Sequence, residues 1–205
     1  MTLHIADRVV VFDYGEVISL EPSASARAAI VEIADADAEL FWARYWSHRD
    51  GLDRGTISVP EYWALVAADT GSDWSASTVQ RLWAADFTSW ISVETEVVDL
   101  IAELHAGGTR IALLSNAGFD FASPFRFSPM AQFFERVFVS AEMDAIKPSP
   151  GIYLEVTDGL GITPAHLVFV DNKKINTDAA AELGATVHHF VHAEGLRQFL
   201  TALAA

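Results

Sequence analysis

Five short apolar runs recur along the chain, at Val9–Asp13, Arg110–Ser115, Arg136–Ser140, Leu167–Asp171 and Ala185–Phe190. Their apolar residues are contiguous and do not alternate with polar ones, which predicts strands buried on both faces of a parallel sheet. Helix signals fill the later intervals. Ser92 is expected to cap a helix that runs through His105 and stops at Gly107-Gly108. Pro150 suits the first turn of a helix running towards Asp158, and Thr163-Pro164 reads as a cap followed by Pro at the first helical position. Strands alternating with helices predict an α/β core with helices on both faces of the sheet. In such sheets catalytic groups gather at the carboxyl ends of the strands, where Asp13, Ser115 and Asp171 all fall.

Between the first strand and Ser92 the pattern changes. No convincing strand is found there, and the stretch reads as three or four helices, one opened by the capping-box pattern Ser58-Val59-Pro60-Glu61. Residues 17–90 are therefore expected to form a helical subdomain inserted into a core made of residues 1–16 and 91–205. All six tryptophans (Trp42, Trp46, Trp63, Trp74, Trp83 and Trp90) lie within it. They are expected chiefly to fill the core of a small bundle, with one or two facing a substrate as the second reading. Seven of the thirteen phenylalanines fall between Phe119 and Phe138, which reads first as core and loop packing and second as a pocket wall or a dimer contact.

Composition narrows the function classes. A hydrophobic fraction of 51% supports a sizeable core, and a net charge of −15 disfavours nucleic acid and anionic membranes as partners. With no cysteine there are no disulfides, thiolate nucleophiles or Cys-zinc sites. MTLHIADR lacks the basic start and apolar stretch of a signal peptide, and no apolar run approaches the ~20 residues that span a bilayer. A cytoplasmic protein acting on a small molecule is expected, with a homodimer left open. The cluster His188, His189 and His192 lacks acids at ligand spacing and is not expected to hold a metal.

Four pieces carry chemistry, in this order: Asp13-Tyr14-Gly15 after the first strand, Ser115-Asn116 after the second, Lys147-Pro148-Ser149-Pro150 with Ile152-Tyr153, and Asp171-Asn172 within VFVDNKKINTDAAAELG. An ionised Asp at a strand end can attack phosphorus or a halogenated carbon. Together, and with a helical insertion after the first strand, these pieces resemble motifs I to IV of the haloacid dehalogenase-like (HAD) hydrolase superfamily. The resemblance covers essentially the whole chain and implies a Rossmannoid core with an inserted α-helical cap. It implies a phosphatase that forms an aspartyl-phosphate on Asp13, with Ser115 and Lys147 as the other catalytic residues. The phosphoryl group would be held by Ser115, Lys147 and the backbone around Tyr14, Gly15 and Asn116. Mg²⁺ would be held by Asp13, the Gly15 carbonyl and the motif IV pair Asp171 and Asn172, since hard oxygen ligands suit that ion.

Two positions depart from the family pattern. Where the usual phosphatase has a second motif I Asp, which protonates the leaving oxygen, this chain has Gly15. Motif IV commonly ends in two acids, and here the second is Asn172. Asp13-Tyr14-Gly15-Glu16-Val17 and Ser115-Asn116, together with the cap stretch from Asp53 to Ser58, are most similar to the α-D-glucose-1-phosphate phosphatase branch, which suggests a sugar phosphate as substrate. Glu16 is the nearest spare acid, expected to point towards the hinge rather than replace the missing one. The alternatives are a metal-independent 2-haloacid dehalogenase-type hydrolase, for which the glycine spacing is wrong, and a non-catalytic or chemically altered member of the superfamily.

Overall fold

The computed structural model describes residues 3–204. Its centre is a five-stranded, fully parallel sheet of β1 (Val9–Phe12), β2 (Arg110–Ser115), β3 (Arg136–Val139), β4 (Leu167–Asp171) and β5 (Thr186–His189). The spatial order is β3-β2-β1-β4-β5, so the first strand lies in the middle. Each expected strand is found to within a residue at either end.

The strands read as unbroken apolar runs because both sheet faces are covered. Val10, Phe12, Ile111, Leu113, Val168 and Val170 pack on one face against Val97, Leu100, Ile101 and Leu104, and against Leu196 and Leu200. The former come from helix α6 (Thr95–Ala106) and the latter from α10 (Ala193–Ala204). Helix α7 (Phe119–Phe127) adds Phe121 and Phe125 to the same face. The alternate residues Val9, Val11, Ala112, Leu114, Leu167 and Phe169 face the other way. They meet Ile152, Tyr153 and Val156 of α8 (Pro150–Leu160) and Ala180 of α9 (Lys174–Glu182). Successive side chains on a strand point to opposite faces, and each face here has its own helices to cover.

Five helices precede α6: α1 (Ala24–Ala34), α2 (Ala38–Ser47), α3 (Arg49–Arg54), α4 (Val59–Thr70) and α5 (Ala76–Ser89). This is one or two more than the pattern predicts, because the six-residue α3 is too short to show a period. They build a core of their own from Ile30, Phe41, Tyr45, Tyr62, Trp63, Val66 and Leu82. Ser23, Asp37, Ser58 and Ser75 each accept a bond from a first-turn N–H, satisfying donors a helix start leaves free. The capping box at Ser58 and Glu61 is formed.

The two connections between this helical layer and the sheet run side by side. Ser19 bridges Val93 in antiparallel fashion, Leu20 N–H bonds to Ser92 O at 2.8 Å, and Glu94 N–H to Ile18 O at 2.8 Å. Ser92 is therefore part of a two-stranded hinge, and Glu94 takes the N-cap position of α6 expected for Ser92. Thr163-Pro164 likewise starts only a 3₁₀ turn, Pro164–His166, because β4 follows at once. No described helix is long and apolar enough to cross a membrane.

The helical layer is fastened to the sheet layer at a second place. Ser140 Oγ bonds to the backbone carbonyl of Asp53 and accepts from Ala117 N–H at 2.9 Å. Just beyond α3, Gly55 has φ +79°, and a Cβ there would lie 2.6 Å from the Ala141 carbonyl oxygen. Trp83 Nε1 adds a 2.8 Å bond to Asp120 Oδ2. Gly55→Ala should combine left-handed strain with that backbone clash and lower stability by about 2 kcal/mol. Urea denaturation measures this, and an unchanged midpoint would show that the contact is dispensable.

Candidate active site

Strand register sets the centre of the site. Phe12 is level with Leu113 of β2 and Val170 of β4, so one residue further on Asp13 lies between Leu114 and Asp171. Lys147, on the loop before α8, reaches all three. Its Nζ stands 2.7 Å from Asp13 Oδ1, 2.8 Å from Asp171 Oδ2 and 3.2 Å from Leu114 O. The lysine is only 3% exposed. Burial alone would lower its pKa, but the two carboxylates more than offset that and raise it. For Asp13, burial is the larger effect and pushes its carboxyl up to about 7, with Lys147 pulling the other way and Asp171 adding to the rise.

The neighbours of Lys147 are tightly specified. Asn116 Oδ1 accepts from Lys147 N–H at 2.9 Å, and Asn116 Nδ2 donates to Lys147 O at 3.0 Å. The side chain of Asn116 is thus committed to holding the lysine loop, leaving its backbone as the part available to an anion. Tyr14 N–H donates to Asp13 Oδ1 at 2.7 Å, and the Tyr14 ring lies 4.5 Å from that of Phe125. Ser115 ends β2 beside them, buried at 3% exposure.

Asp171 is expected among the cation ligands, and in this structure both of its oxygens have protein partners. It is fully buried. Its Oδ1 accepts from Lys173 N–H at 2.8 Å and Asn176 Nδ2 at 3.1 Å, and its Oδ2 from Lys147 Nζ and from Asn176 Nδ2 at 3.0 Å. With both oxygens so engaged, Asp171 serves to orient Lys147. Asn172, by contrast, lines the pocket. Its Oδ1 is buried without a hydrogen-bond partner, while its Nδ2 donates to Glu16 Oε2 at 3.1 Å. Glu16 therefore turns to the motif IV loop and not to the hinge.

Asp13, Gly15, Ser115, Asn116, Lys147 and Asn172 all line one pocket of about 160 Å³. Its roof comes from the helical layer and includes Trp46, Arg49, Asp50, Asp53 and Trp90, with Phe121 and Phe125 along one side. Trp46, Trp90 and part of the phenylalanine cluster are thus pocket walls, whereas Trp63 fills the helical core. Arg49 is held by Asp53 at 3.0 Å and Asp86 at 3.4 Å, and its Nη1 donates to Tyr45 OH at 2.7 Å. A wider groove of about 610 Å³ along β3, lined by Arg136, Phe138 and Glu155 among others, contains neither Asp13 nor Lys147.

Sequence reasoning misses Asn176 and Arg49. Asn176 sits in the first turn of α9, and only its distance of five residues from Asp171 hints at the contact. Arg49 and Asp53 are an i,i+4 pair, a pattern usual on any solvated helix. The histidines have other partners. His189 Nε2 is 2.9 Å from Asn172 O, the His188 ring stacks on Phe199 at 4.7 Å, and His192 Nδ1 accepts from Gly195 N–H.

No protein-family model matches the chain. A curated relative, a D-ribitol-5-phosphate phosphatase of Bacteroides thetaiotaomicron, is 24% identical and aligned over 95% of this chain and 97% of its own. Among solved structures, a HAD family enzyme of the same bacterium, in complex with magnesium and inorganic phosphate, superposes with a TM-score of 0.72. The two are 22% identical, covering 88% of this chain and 92% of that one. A predicted HAD-like family hydrolase of Porphyromonas gingivalis gives a TM-score of 0.66 at 26% identity, over 88% and 89% of the two chains. Five parallel strands in this order, an acid-lysine-acid centre at their carboxyl ends and similar proteins that span the chain agree: the chain has the fold of the haloacid dehalogenase-like enzymes and resembles them in sequence.

Proposed function

We propose that this chain is a phosphatase of a small phosphorylated metabolite, with Asp13 as nucleophile. The observation that carries this reading is Lys147 locked between Asp13 and Asp171 at the floor of a pocket that also holds Ser115 and the unpartnered Asn172 oxygen. The relative that is a D-ribitol-5-phosphate phosphatase and the neighbour crystallised with magnesium and phosphate support it.

Both contacts to the Asp13 carboxylate, from Lys147 Nζ and Tyr14 N–H, fall on Oδ1. Oδ2 is then the oxygen that attacks phosphorus. The new bond is Asp13 Oδ2 to phosphorus, and the bond that breaks joins phosphorus to the leaving alcohol oxygen. Lys147 and the Ser115 hydroxyl take up charge on the phosphoryl oxygens, with the backbone around Tyr14, Gly15 and Asn116 as further donors. The leaving alkoxide takes a proton from solvent water; a second water then attacks phosphorus and gives up a proton to solvent, the Asp13 Oδ2–phosphorus bond breaks, and inorganic phosphate leaves with Asp13 restored. Lys147 supplies one positive charge against two carboxylates, so a phosphoryl dianion brings an excess of negative charge. The residues present fit Mg²⁺ as the balance: Asp13, the Gly15 carbonyl and the buried, unpartnered Asn172 Oδ1 would hold it. The ion would supply positive charge at the phosphoryl oxygens.

The roof favours a hydroxylated leaving group such as a sugar or polyol. Arg49 is matched by Asp53 and Asp86, and Asp50 and Glu16 also line the pocket. A carboxylate in the leaving group would meet these acids, which outnumber Lys173, the lysine that also lines the pocket near Asp53. Trp46 and Trp90 offer ring faces and edges to a carbon chain that carries hydroxyls.

Hydrolysis of p-nitrophenyl phosphate and of sugar and polyol phosphates is expected to require Mg²⁺, and Asp13→Asn should lose at least ~10³-fold in kcat. Equal turnover by wild type and variant would sink the proposal. Sugar and polyol phosphates should exceed phosphoglycolate in kcat/KM by about tenfold or more, and the reverse order would refute the reading of the roof. A side chain at position 15 meets nothing, since no atom lies within 4 Å of a Cβ placed on Gly15. Gly15→Asp should restore an acid and raise kcat by roughly 10²-fold for alkyl phosphates, but little for p-nitrophenyl phosphate, whose leaving group needs no proton. A rate gain equal for both substrates would speak against acid catalysis as its cause.

A further inference from the structure

An asparagine amide can lie either way round, and its partners decide which. At Asn172 the partner is Glu16, whose Oε2 lies 3.1 Å away. A carboxylate only accepts, so the facing atom is Nδ2. The carbonyl oxygen is turned to the opposite side, where Oδ1 is buried and has no protein partner. Asn172 and Glu16 both line the pocket that holds Asp13 and Gly15.

Glu16 reaches this position at a cost. It is a non-glycine residue at φ +57°, a region that side chains disfavour. The turn imposes it: Tyr14 O accepts from Ile18 N–H at 2.9 Å and from Ser19 N–H at 2.8 Å, and Ser19 Oγ accepts from Glu16 N–H at 3.2 Å. Glycine would take that backbone without strain, yet a long acidic side chain occupies it and ends on Asn172.

We propose that Glu16 is a positioning residue for the cation site. Its carboxylate fixes the Asn172 amide with the oxygen available as a ligand, and it returns to the site the negative charge that an asparagine lacks. It thereby explains how an amide can stand where motif IV commonly has an acid. The proposal rests on the reading of Asp13, Gly15 and Asn172 as the Mg²⁺ ligands.

The test is calorimetric titration of Mg²⁺ alone into wild type, Glu16→Gly, Glu16→Gln, Asn172→Ala and the double variant Glu16→Gly/Asn172→Ala, with a thermal melt of each apo protein. Glu16→Gly should keep or raise the melting temperature, because glycine relieves the strain, yet weaken Mg²⁺ binding by about tenfold. Glu16→Gln, which keeps an acceptor and loses the charge, should fall between Glu16→Gly and wild type. In the Asn172→Ala background Glu16→Gly should change affinity by less than about twofold, since the two act through one contact. Wild-type binding and turnover with Glu16→Gly within about twofold of wild type in affinity would overturn this proposal alone. A wild type that hydrolyses phosphate esters but binds no Mg²⁺ would overturn the assignment of the cation ligands along with it.

Discussion

The buried ion pairs of Lys147 are the constraint on which the site depends. One ammonium, almost wholly out of water, is shared by Asp13 and Asp171 on adjacent strands. Charges buried in this way persist only when each is paired and hydrogen-bonded, because removing one partner leaves the others uncompensated. The fold meets that demand at every member. Asn116 clamps the lysine backbone from both sides, Asn176 and Lys173 N–H satisfy Asp171, and Tyr14 N–H meets Asp13. The central strand pairs with β2 and β4 in a register that leaves Asp13 level with Leu114 and Asp171, and a one-residue slip would dissolve the arrangement. Positive charge is in place before any substrate arrives, which is the preorganisation that phosphoryl transfer rewards.

Around this centre two positions depart from the pattern the chain otherwise resembles. Position 15 has no acid, so nothing there protonates a leaving group, although the space for one persists. Position 172 has no charge, yet its oxygen is buried and free of protein partners. The two departures differ in kind. The first removes a proton donor and narrows the alcohols that can leave easily. The second puts a dipole where an anion commonly stands, with the Glu16 carboxylate 3.1 Å from its amide nitrogen.

The helical layer supplies the roof of the pocket. It is stabilised by its own aromatic core and capped helices, and it meets the sheet layer through the hinge pair at Ser19 and Val93 and through the glycine contact at Gly55. The close approach at Gly55 immediately follows α3, which carries Arg49 and Asp53, so the same short helix that docks also roofs the pocket. Because Arg49 is held by two acids, the roof presents hydrogen-bonding groups and ring surfaces more than net positive charge.

The five strands, the helix starts at Ser58 and Pro150, the place of the helical insertion and the order of the segments that bring Asp13, Ser115 and Lys147 to one pocket were legible in the sequence. These follow from local patterning: apolar runs, capping residues and the order of four short motifs. Only the tertiary structure decided what each polar group faces. Asp171 and Asn172 are neighbours in the chain, yet one is sealed beneath Lys147 and the other lines the pocket, because the strand ends between them. Ser92 looks like a helix cap, but pairing with the other hinge strand claims it. Glu16 and Asn172 lie 156 residues apart, and Arg49 meets Asp86 across 37. No local rule joins such residues. Strand register and helix packing bring them within hydrogen-bond distance, and that distance settles which side chains hold the lysine and which line the pocket.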